Sequence, residues 1–246
     1  MVRTLLILGG TADARALAAA VRRALPDVRV VTSLAGRTAS PRMPEGEVVA
    51  GGFGGPSGLA GYLRAEGVDA LIDATHPFAA EISKSAAEAG QWAGVPRLAL
   101  VRPPWVFGQD AKVRHVRSMD AAKSALENGG RRVFLAIGRQ EVGRFKDLQG
   151  RYFLLRFIDA PAAPPPFADC RVLTGPPGTL DEERELLRDY AIDTLVAKNG
   201  GGDASRAKVD AALDLGISVI LIDPPPPPPP PRAETVEVAL AWLDRL

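Results

Sequence analysis

Short apolar runs alternate along the chain with segments of helical periodicity, and this alternation constrains the fold more than any other feature. The run Leu5–Leu8 precedes a helical segment at Asp13–Ala24, and Ala70–Asp73 precedes another at Phe78–Ala93. The pattern is typical of βαβ units, in which helices connect the strands of a parallel sheet. It predicts an α/β fold in both halves of the chain.

The alternation breaks once, in the segment 102–108, which contains two prolines, two aromatic residues and a glycine. Such a break is typical of a domain boundary. A chain of 246 residues is long for one domain and short for three, since domains commonly hold about 100–200 residues. We therefore predict two α/β domains, 1–108 and 109–246.

Charge and cysteine content narrow the classes of function. Thirty basic residues against 29 acidic ones leave a formal net charge of +1, so no global field favours nucleic acid or an anionic membrane. The apolar run at the N-terminus is too short for a signal sequence or a membrane span. The single cysteine, Cys170, excludes an internal disulfide and a cysteine-rich metal cage. We expect a cytoplasmic protein without a metal.

A glycine pair follows the first predicted strand directly. Gly9, Gly10, Thr11 and Ala12 lead into the helix that begins near Asp13. In a doubly wound sheet such a turn lets the backbone approach a phosphate, to which the helix N-terminus offers N–H groups and a positive dipole. The pair lacks the full G-x-G-x-x-G spacing, so it predicts either a dinucleotide pyrophosphate site or only a tight connection.

The segment after the second predicted strand distinguishes between the two nicotinamide dinucleotides. An NAD enzyme usually places a carboxylate there for the ribose 2′-hydroxyl, whereas an NADP enzyme has neutral and basic groups for the 2′-phosphate. Residues 28–40 contain no carboxylate, and Ser33, Arg37 and Thr38 can bind a phosphate. The sequence predicts NADPH, although a solvated surface arginine is the alternative for Arg37 taken alone.

Polar and aromatic residues follow the fourth predicted strand, at the sheet edge where ligands bind in such folds. Thr75 can cap the following helix, and Phe78 can pack against a flat ring. His76 is the only histidine near this edge. It is a candidate proton donor, or simply a residue of the capping turn.

Three loops of the second half follow predicted strands with polar sequences, two of them containing glycine. The candidate residues are Arg139, Gln140, Arg156, Asp159, Lys198, Gly200 and Gly201. A glycine run with exposed N–H groups after a strand can bind anions. Together these loops predict a ligand that carries several carboxylates, and the alternative is a set of ordinary turns with solvated charges.

Eight consecutive prolines, Pro224 to Pro231, lie between the last predicted strand and the last helix. Such a run adopts polyproline II and forms a stiff rod of about 25 Å at roughly 3.1 Å per residue. We predict a rigid connector, and recognition by an SH3-like partner is the alternative.

Several of these segments resemble the precorrin-6A reductase family of cobalamin biosynthesis. The segments that carry the resemblance are 8–11, 33–38, 51–55, 73–79, 138–140, 156–159 and 196–202. They cover nearly the whole chain in order. The Ser-Leu-Ala-Gly-Arg-Thr and Asp-Ala-Thr-His-Pro-Phe-Ala segments are specific to that family, far more so than the glycine turn, whereas Asp13 stands where Glu is expected.

The resemblance implies two Rossmann-like domains, each a mainly parallel sheet flanked by helices, with both ligands in the cleft between them. It implies an NADPH-dependent oxidoreductase that reduces one double bond of the polycarboxylate tetrapyrrole precorrin-6A to give precorrin-6B. Hydride goes to a ring carbon and a proton to its neighbour, with His76, Lys198 or solvent as the proton donor. Catalysis then depends mainly on positioning the hydride against its acceptor.

Two other functions compete with this interpretation. A short-chain-type NADP reductase or epimerase needs a Tyr-x-x-x-Lys pair, but none of Tyr62, Tyr152 and Tyr190 is followed by lysine four residues later. The other is a non-catalytic NADP-binding sensor or interaction protein, whose second domain and proline run recruit a partner. It predicts tight NADPH binding without turnover on any tetrapyrrole.

Overall fold

The chain folds as two units, each built around its own parallel sheet. The computed structural model describes residues 2–36, 41–127 and 129–246. The first unit comprises Met1–Pro103 and Pro225–Leu246, and the second comprises Pro104–Pro224. The predicted boundary at residue 108 assigned the entire C-terminal part to the second domain. The structure instead places residues 225–246 with the first unit, because their strand and helix pack onto the first sheet.

The sheet of the first unit has six parallel strands in the order β12-β5-β4-β1-β2-β3. These strands are β1 (Thr4–Leu8), β2 (Arg29–Leu34), β3 (Glu47–Ala50), β4 (Ala70–Asp73), β5 (Arg97–Leu100) and β12 (Arg232–Ala233). Its helices are α1 (Ala12–Ala24), α2 (Gly55–Ala65), α3 (Ala80–Ala93) and α7 (Val236–Leu243). The chain builds outward from β1 to β3 and then returns to β4, so the strand order reverses between β1 and β4.

Strand β1 shows why the first unit needs helices on both faces of its sheet. All five of its residues are buried, as expected for a central parallel strand. Leu5 and Ile7 pack in a core with residues of α1 and α7. Leu6 and Leu8, which alternate with them, pack in a second core with residues of α2 and α3.

The sheet of the second unit also has six parallel strands, in the order β6-β11-β10-β7-β8-β9. These strands are β6 (Val113–Val116), β7 (Arg132–Ala136), β8 (Tyr152–Phe157), β9 (Cys170–Thr174), β10 (Thr194–Lys198) and β11 (Ser218–Ile222). Its helices are α4 (Met119–Glu127), α5 (Leu180–Asp189) and α6 (Ala207–Asp214), with a 3₁₀ turn at Val142–Phe145. Here the order reverses between β7 and β10. The prediction of two Rossmann-like domains with mainly parallel sheets is confirmed.

Among residues 2–36, 41–127 and 129–246, no helix is long and apolar enough to cross a membrane. The same residues contain no cluster of three or more His, Cys, Asp or Glu side chains that could hold a metal ion.

Candidate active site

In the first unit, hydrogen bonds join the carboxyl ends of β1, β2 and β4 and the residues that follow β1 and β4. The Gly9 N–H donates to the Ser33 carbonyl at 2.9 Å, and the Ala74 N–H donates to the Leu8 carbonyl at 2.9 Å. The Thr11 hydroxyl donates to the Ala74 carbonyl at 2.8 Å. The carboxyl edge on both sides of the strand reversal is therefore one connected surface, which is where open α/β sheets bind ligands.

The glycine pair in this edge has two distinct structural roles. A Cβ on Gly9 would lie 2.6 Å from Cγ2 of Thr32, so only glycine fits against β2. Gly10 has a φ of 101°, which L-residues rarely adopt, and a Cβ there would meet no atom within 4 Å. The backbone at Gly10 therefore faces open space, as an approaching phosphate requires.

Thr11 forms the N-cap of α1, because its hydroxyl accepts from the Ala14 N–H at 3.1 Å. The first amides of the helix, beginning at Ala12, have no acceptor within the helix. They combine with the positive end of the helix dipole to favour an anion. The residues of this turn thus fit the pyrophosphate of a dinucleotide.

The segment after β2 is described only in part. Ser33 and Leu34 are buried at the end of the strand, and Ala35 and Gly36 are exposed. The predicted 2′-phosphate ligands Arg37 and Thr38 lie outside the described residues.

The segment after β4 differs from the prediction in one respect. Thr75 was expected to cap the following helix, but its hydroxyl and N–H donate to the buried Asp73 carboxylate at 2.7 and 3.1 Å. Helix α3 begins only at Ala80, and its N-cap residue Ala79 offers no side-chain hydrogen bond. The Thr75 hydroxyl is therefore bonded within the turn and does not cap the helix, and its link to α3 is a 3.5 Å contact with Oγ of Ser83.

His76 and Phe78 lie together in this turn. The Phe78 N–H donates to Nδ1 of His76 at 3.2 Å, and the two rings are 5.7 Å apart at 49°. Because Nδ1 is an acceptor, the neutral imidazole carries its proton on Nε2. The His76 residue is exposed and Phe78 is half-buried.

In the second unit, the loops after β7 and β10 meet where the strand order reverses. Gly138, Arg139 and Gln140 are exposed directly after β7. Lys198, at the end of β10, places its Nζ 3.8 Å from Oε1 of Glu141. This edge therefore brings the Arg139 and Lys198 loops side by side.

Asn199, for which the sequence predicts no role, fixes the loop that follows Lys198. Its buried amide accepts from the Trp105 N–H at 2.8 Å and donates to the Trp105 carbonyl at 3.1 Å. It also donates to Oδ1 of Asp223 at 3.3 Å. The Trp105 indole N–H donates to the Gly202 carbonyl at 2.7 Å. An asparagine before a glycine run is the only sequence signal for this link.

The predicted anion-binding glycines are less accessible than expected. Gly200 and Gly201 are buried, and the Gly200 N–H already donates to the Lys198 carbonyl at 2.9 Å. The side chains of Arg139 and Lys198 thus offer more to an anionic ligand than the Gly200 amide does.

Arg156 has a protein partner in the structure. Its side chain is 14% exposed, and Nη1 lies 2.5 Å from Oε1 of the fully buried Glu183, which also accepts from the Gly178 N–H at 2.7 Å. Burial lowers the pKa of nearby Lys208 to about 8, although the Glu183 carboxylate opposes this shift. The ion pair gives Arg156 a structural role, and substrate binding by Arg156 stays a prediction. Asp159 is half-buried beyond the same strand.

The carboxyl edge of the first sheet carries a turn of the kind that binds phosphate, and the carboxyl edge of the second sheet carries cationic loops. These features define an α/β enzyme with two Rossmann-like units. The family model of precorrin-6x reductase CbiJ/CobK matches residues 4–244. This chain therefore belongs to the precorrin-6x reductase family, and it is an oxidoreductase.

Individual relatives agree with this assignment over nearly their full lengths. The precorrin-6A reductase of Rhodococcus erythropolis is 47% identical over 244 residues, which cover 98% of each chain. The precorrin-6A reductase of Mycobacterium tuberculosis is 44% identical over 240 residues, covering 97% of this chain and 96% of the relative. A solved structure of CobK precorrin-6A reductase has a TM-score of 0.92 and 40% identity, and covers 99% of this chain and 96% of its own.

Proposed function

We propose that this chain reduces precorrin-6A to precorrin-6B with NADPH. The observation that carries the proposal is the full-length identity of 47% to a relative named precorrin-6A reductase. In the balanced reaction, one ring carbon of the macrocycle gains a hydride and the neighbouring atom gains a proton, while NADPH becomes NADP⁺. A cytoplasmic location, where NADPH is available, belongs to the same proposal.

The first unit is proposed to bind the cofactor, which supplies the hydride when bound. The glycine turn and the first amides of α1 hold the pyrophosphate, since Gly10 faces open space. Ser33, Arg37 and Thr38 bind the 2′-phosphate, for which the absence of a carboxylate in residues 28–40 is the support. Thr75 and Phe78 position the nicotinamide ring. The pyrophosphate ligands are Gly9, Gly10, Thr11 and Ala12.

The second unit is proposed to bind the carboxylate arms of the macrocycle. Arg139 and Gln140 are exposed on the carboxyl edge of its sheet. The contact between Lys198 and Glu141, at 3.8 Å, is long enough for a substrate carboxylate to compete for the ammonium group. Asp159, Gly200 and Gly201, which are predicted for the same surface, stay predictions, as does Arg156, which is paired with Glu183 in the structure.

The proton that accompanies the hydride has three candidate sources. His76 carries a proton on Nε2 when neutral and is exposed at the carboxyl edge of the first sheet. Lys198 offers an ammonium proton at the carboxyl edge of the second sheet. Solvent is the third, and in every case the protein contributes mainly by holding the reactants in position.

Incubation of the purified chain with precorrin-6A and NADPH tests the reaction itself. We expect the cofactor absorbance to fall in proportion to the change in the macrocycle spectrum, with a product that has gained two hydrogens. A non-catalytic sensor would bind NADPH tightly without any such change. That outcome would contradict the proposed enzyme.

Arg37→Ala is expected to weaken NADPH binding by about 10–100-fold, because the variant loses the charge-assisted hydrogen bonds to the 2′-phosphate. NADH binding should barely change, because NADH lacks the 2′-phosphate. Titration of both cofactors measures the two dissociation constants, and Arg23→Ala, an exposed arginine in the last turn of α1, is the matched control. Equal weakening for both cofactors would rule out Arg37 as the 2′-phosphate ligand.

A further inference from the structure

An ion pair links the end of β5 to the start of α1. Arg102 follows β5, and its Nε lies 3.0 Å from Oδ2 of Asp13, the second residue of α1. Strand β4 lies between β5 and β1 in the sheet, so the ion pair joins chain segments that follow strands on either side of β4. The two side chains are 14% and 33% exposed, which makes the pair less solvated than most surface ion pairs.

The position of Asp13 creates an electrostatic problem for an anionic ligand. Its carboxylate lies in the first turn of α1, where it interacts favourably with the positive end of the helix dipole. A pyrophosphate at the Gly9–Gly10 turn would require the same positive end. An uncompensated Asp13 would therefore repel the ligand and reduce the potential that attracts it.

Arg102 supplies the compensating charge. Because its guanidinium contacts the carboxylate directly, the pair is close to neutral as a whole, and the amides of α1 keep their attraction for an anion.

We propose that Arg102 is a positioning residue for dinucleotide binding, which acts by neutralising Asp13 beside the pyrophosphate. The inference rests on the proposed function, because it requires a dinucleotide at the glycine turn. It predicts an effect common to NADP⁺ and NAD⁺, which share the pyrophosphate. This separates Arg102 from Arg37, whose predicted effect is confined to the 2′-phosphate.

Four variants of the full chain test this role: Arg102→Gln, Arg102→Lys, Asp13→Asn and the double variant Arg102→Gln/Asp13→Asn. Calorimetric titration gives their dissociation constants for NADP⁺, NAD⁺ and adenosine 2′-monophosphate, and thermal unfolding reports their stability. We expect Arg102→Gln to weaken the binding of NADP⁺ and of NAD⁺ by the same factor, about tenfold. Adenosine 2′-monophosphate, which lacks the pyrophosphate, should bind as it does to the wild type.

Rescue separates electrostatic positioning from a structural role. Arg102→Lys keeps the charge and should bind both dinucleotides within about threefold of the wild type. The double variant lacks both charges and should regain most of the lost affinity, while Asp13→Asn alone should not weaken binding. Unchanged affinity in Arg102→Gln, absence of rescue in the double variant, or weaker binding in Asp13→Asn would each overturn the inference.

The wild-type titration separates this inference from the proposed function. A wild type that binds neither NADP⁺ nor NAD⁺ would contradict the proposed function and the inference together. A wild type that binds NADP⁺, with an Arg102→Gln variant of equal affinity, would overturn only the role of Arg102.

Discussion

Gly10→Val is expected to weaken NADPH binding by about 100-fold or more, because the new side chain would occupy the space through which the phosphate reaches the backbone. The structure supports this steric effect, since Gly10 faces no protein atom within 4 Å of a Cβ position. The positive φ of 101° adds a conformational cost, which the branched valine increases. Fluorescence titration with NADPH measures the loss of affinity.

A second glycine in the same unit separates ligand exclusion from backbone strain. Gly67 also has a positive φ, 59°, and a Cβ there would likewise meet no atom within 4 Å. It precedes β4 and therefore lies at the opposite edge of the sheet from the glycine turn. Gly67→Val should lose about 1–2 kcal/mol of stability and retain NADPH affinity. Unchanged affinity in Gly10→Val, or equal loss in both variants, would contradict a pyrophosphate site at Gly10.

Glu183→Leu is expected to destabilise the second unit by about 3–5 kcal/mol, the usual cost of breaking a buried ion pair from one side. Glu183 is fully buried and accepts from Arg156 and from the Gly178 N–H. Without it, Arg156 and the buried Lys208 would lack a counter-charge. Urea unfolding measures the change, and Glu185→Leu, at an exposed position of the same helix, should change stability by less than about 0.5 kcal/mol.

The pH dependence of this loss follows from Lys208. Its pKa in the folded protein is about 8, below its ordinary value of 10.5. The unfolded chain therefore binds more protons between these values, and the contribution of Lys208 to stability rises as the pH rises. Removing Glu183 lowers the Lys208 pKa further. Because Lys208 is already mostly neutral in the folded protein at about pH 9, the stability lost in Glu183→Leu should be smaller there than at about pH 7. A loss that is equal at both pH values would contradict this coupling.

Local sequence patterns predict those parts of the fold that depend only on a strand and the helix next to it in the chain. The apolar runs of β1 and β4 and the glycine turn before α1 were each recognised from a few adjacent residues. Strand β9 has no continuous apolar run, because its residues are half-buried or exposed, so the sequence pattern does not predict it. Strand β12 has only two residues and exists because it pairs with β5, a contact that no local pattern encodes.

The candidate site could be predicted as a set of loops but not as a set of contacts. Residue types and positions after strands pointed to Arg139, Lys198 and His76. The partners of Arg156 and Thr75, by contrast, depend on tertiary structure, as does the link between Trp105 and Asn199 across 94 positions of sequence. Sequence periodicity indicates which residues reach the edge of a sheet, but it does not indicate which of them bind each other there.

Hydride transfer from the cofactor to the macrocycle can be followed directly by isotope labelling. The purified chain would be incubated with precorrin-6A and NADPH carrying deuterium at both C4 positions, and the product analysed by mass spectrometry. We expect one deuterium from the cofactor in each product molecule and, in heavy water with unlabelled NADPH, one from solvent at the protonated position. Nucleotide binding without turnover, or a reduced product without deuterium from the cofactor, would contradict an NADPH-dependent precorrin-6A reductase.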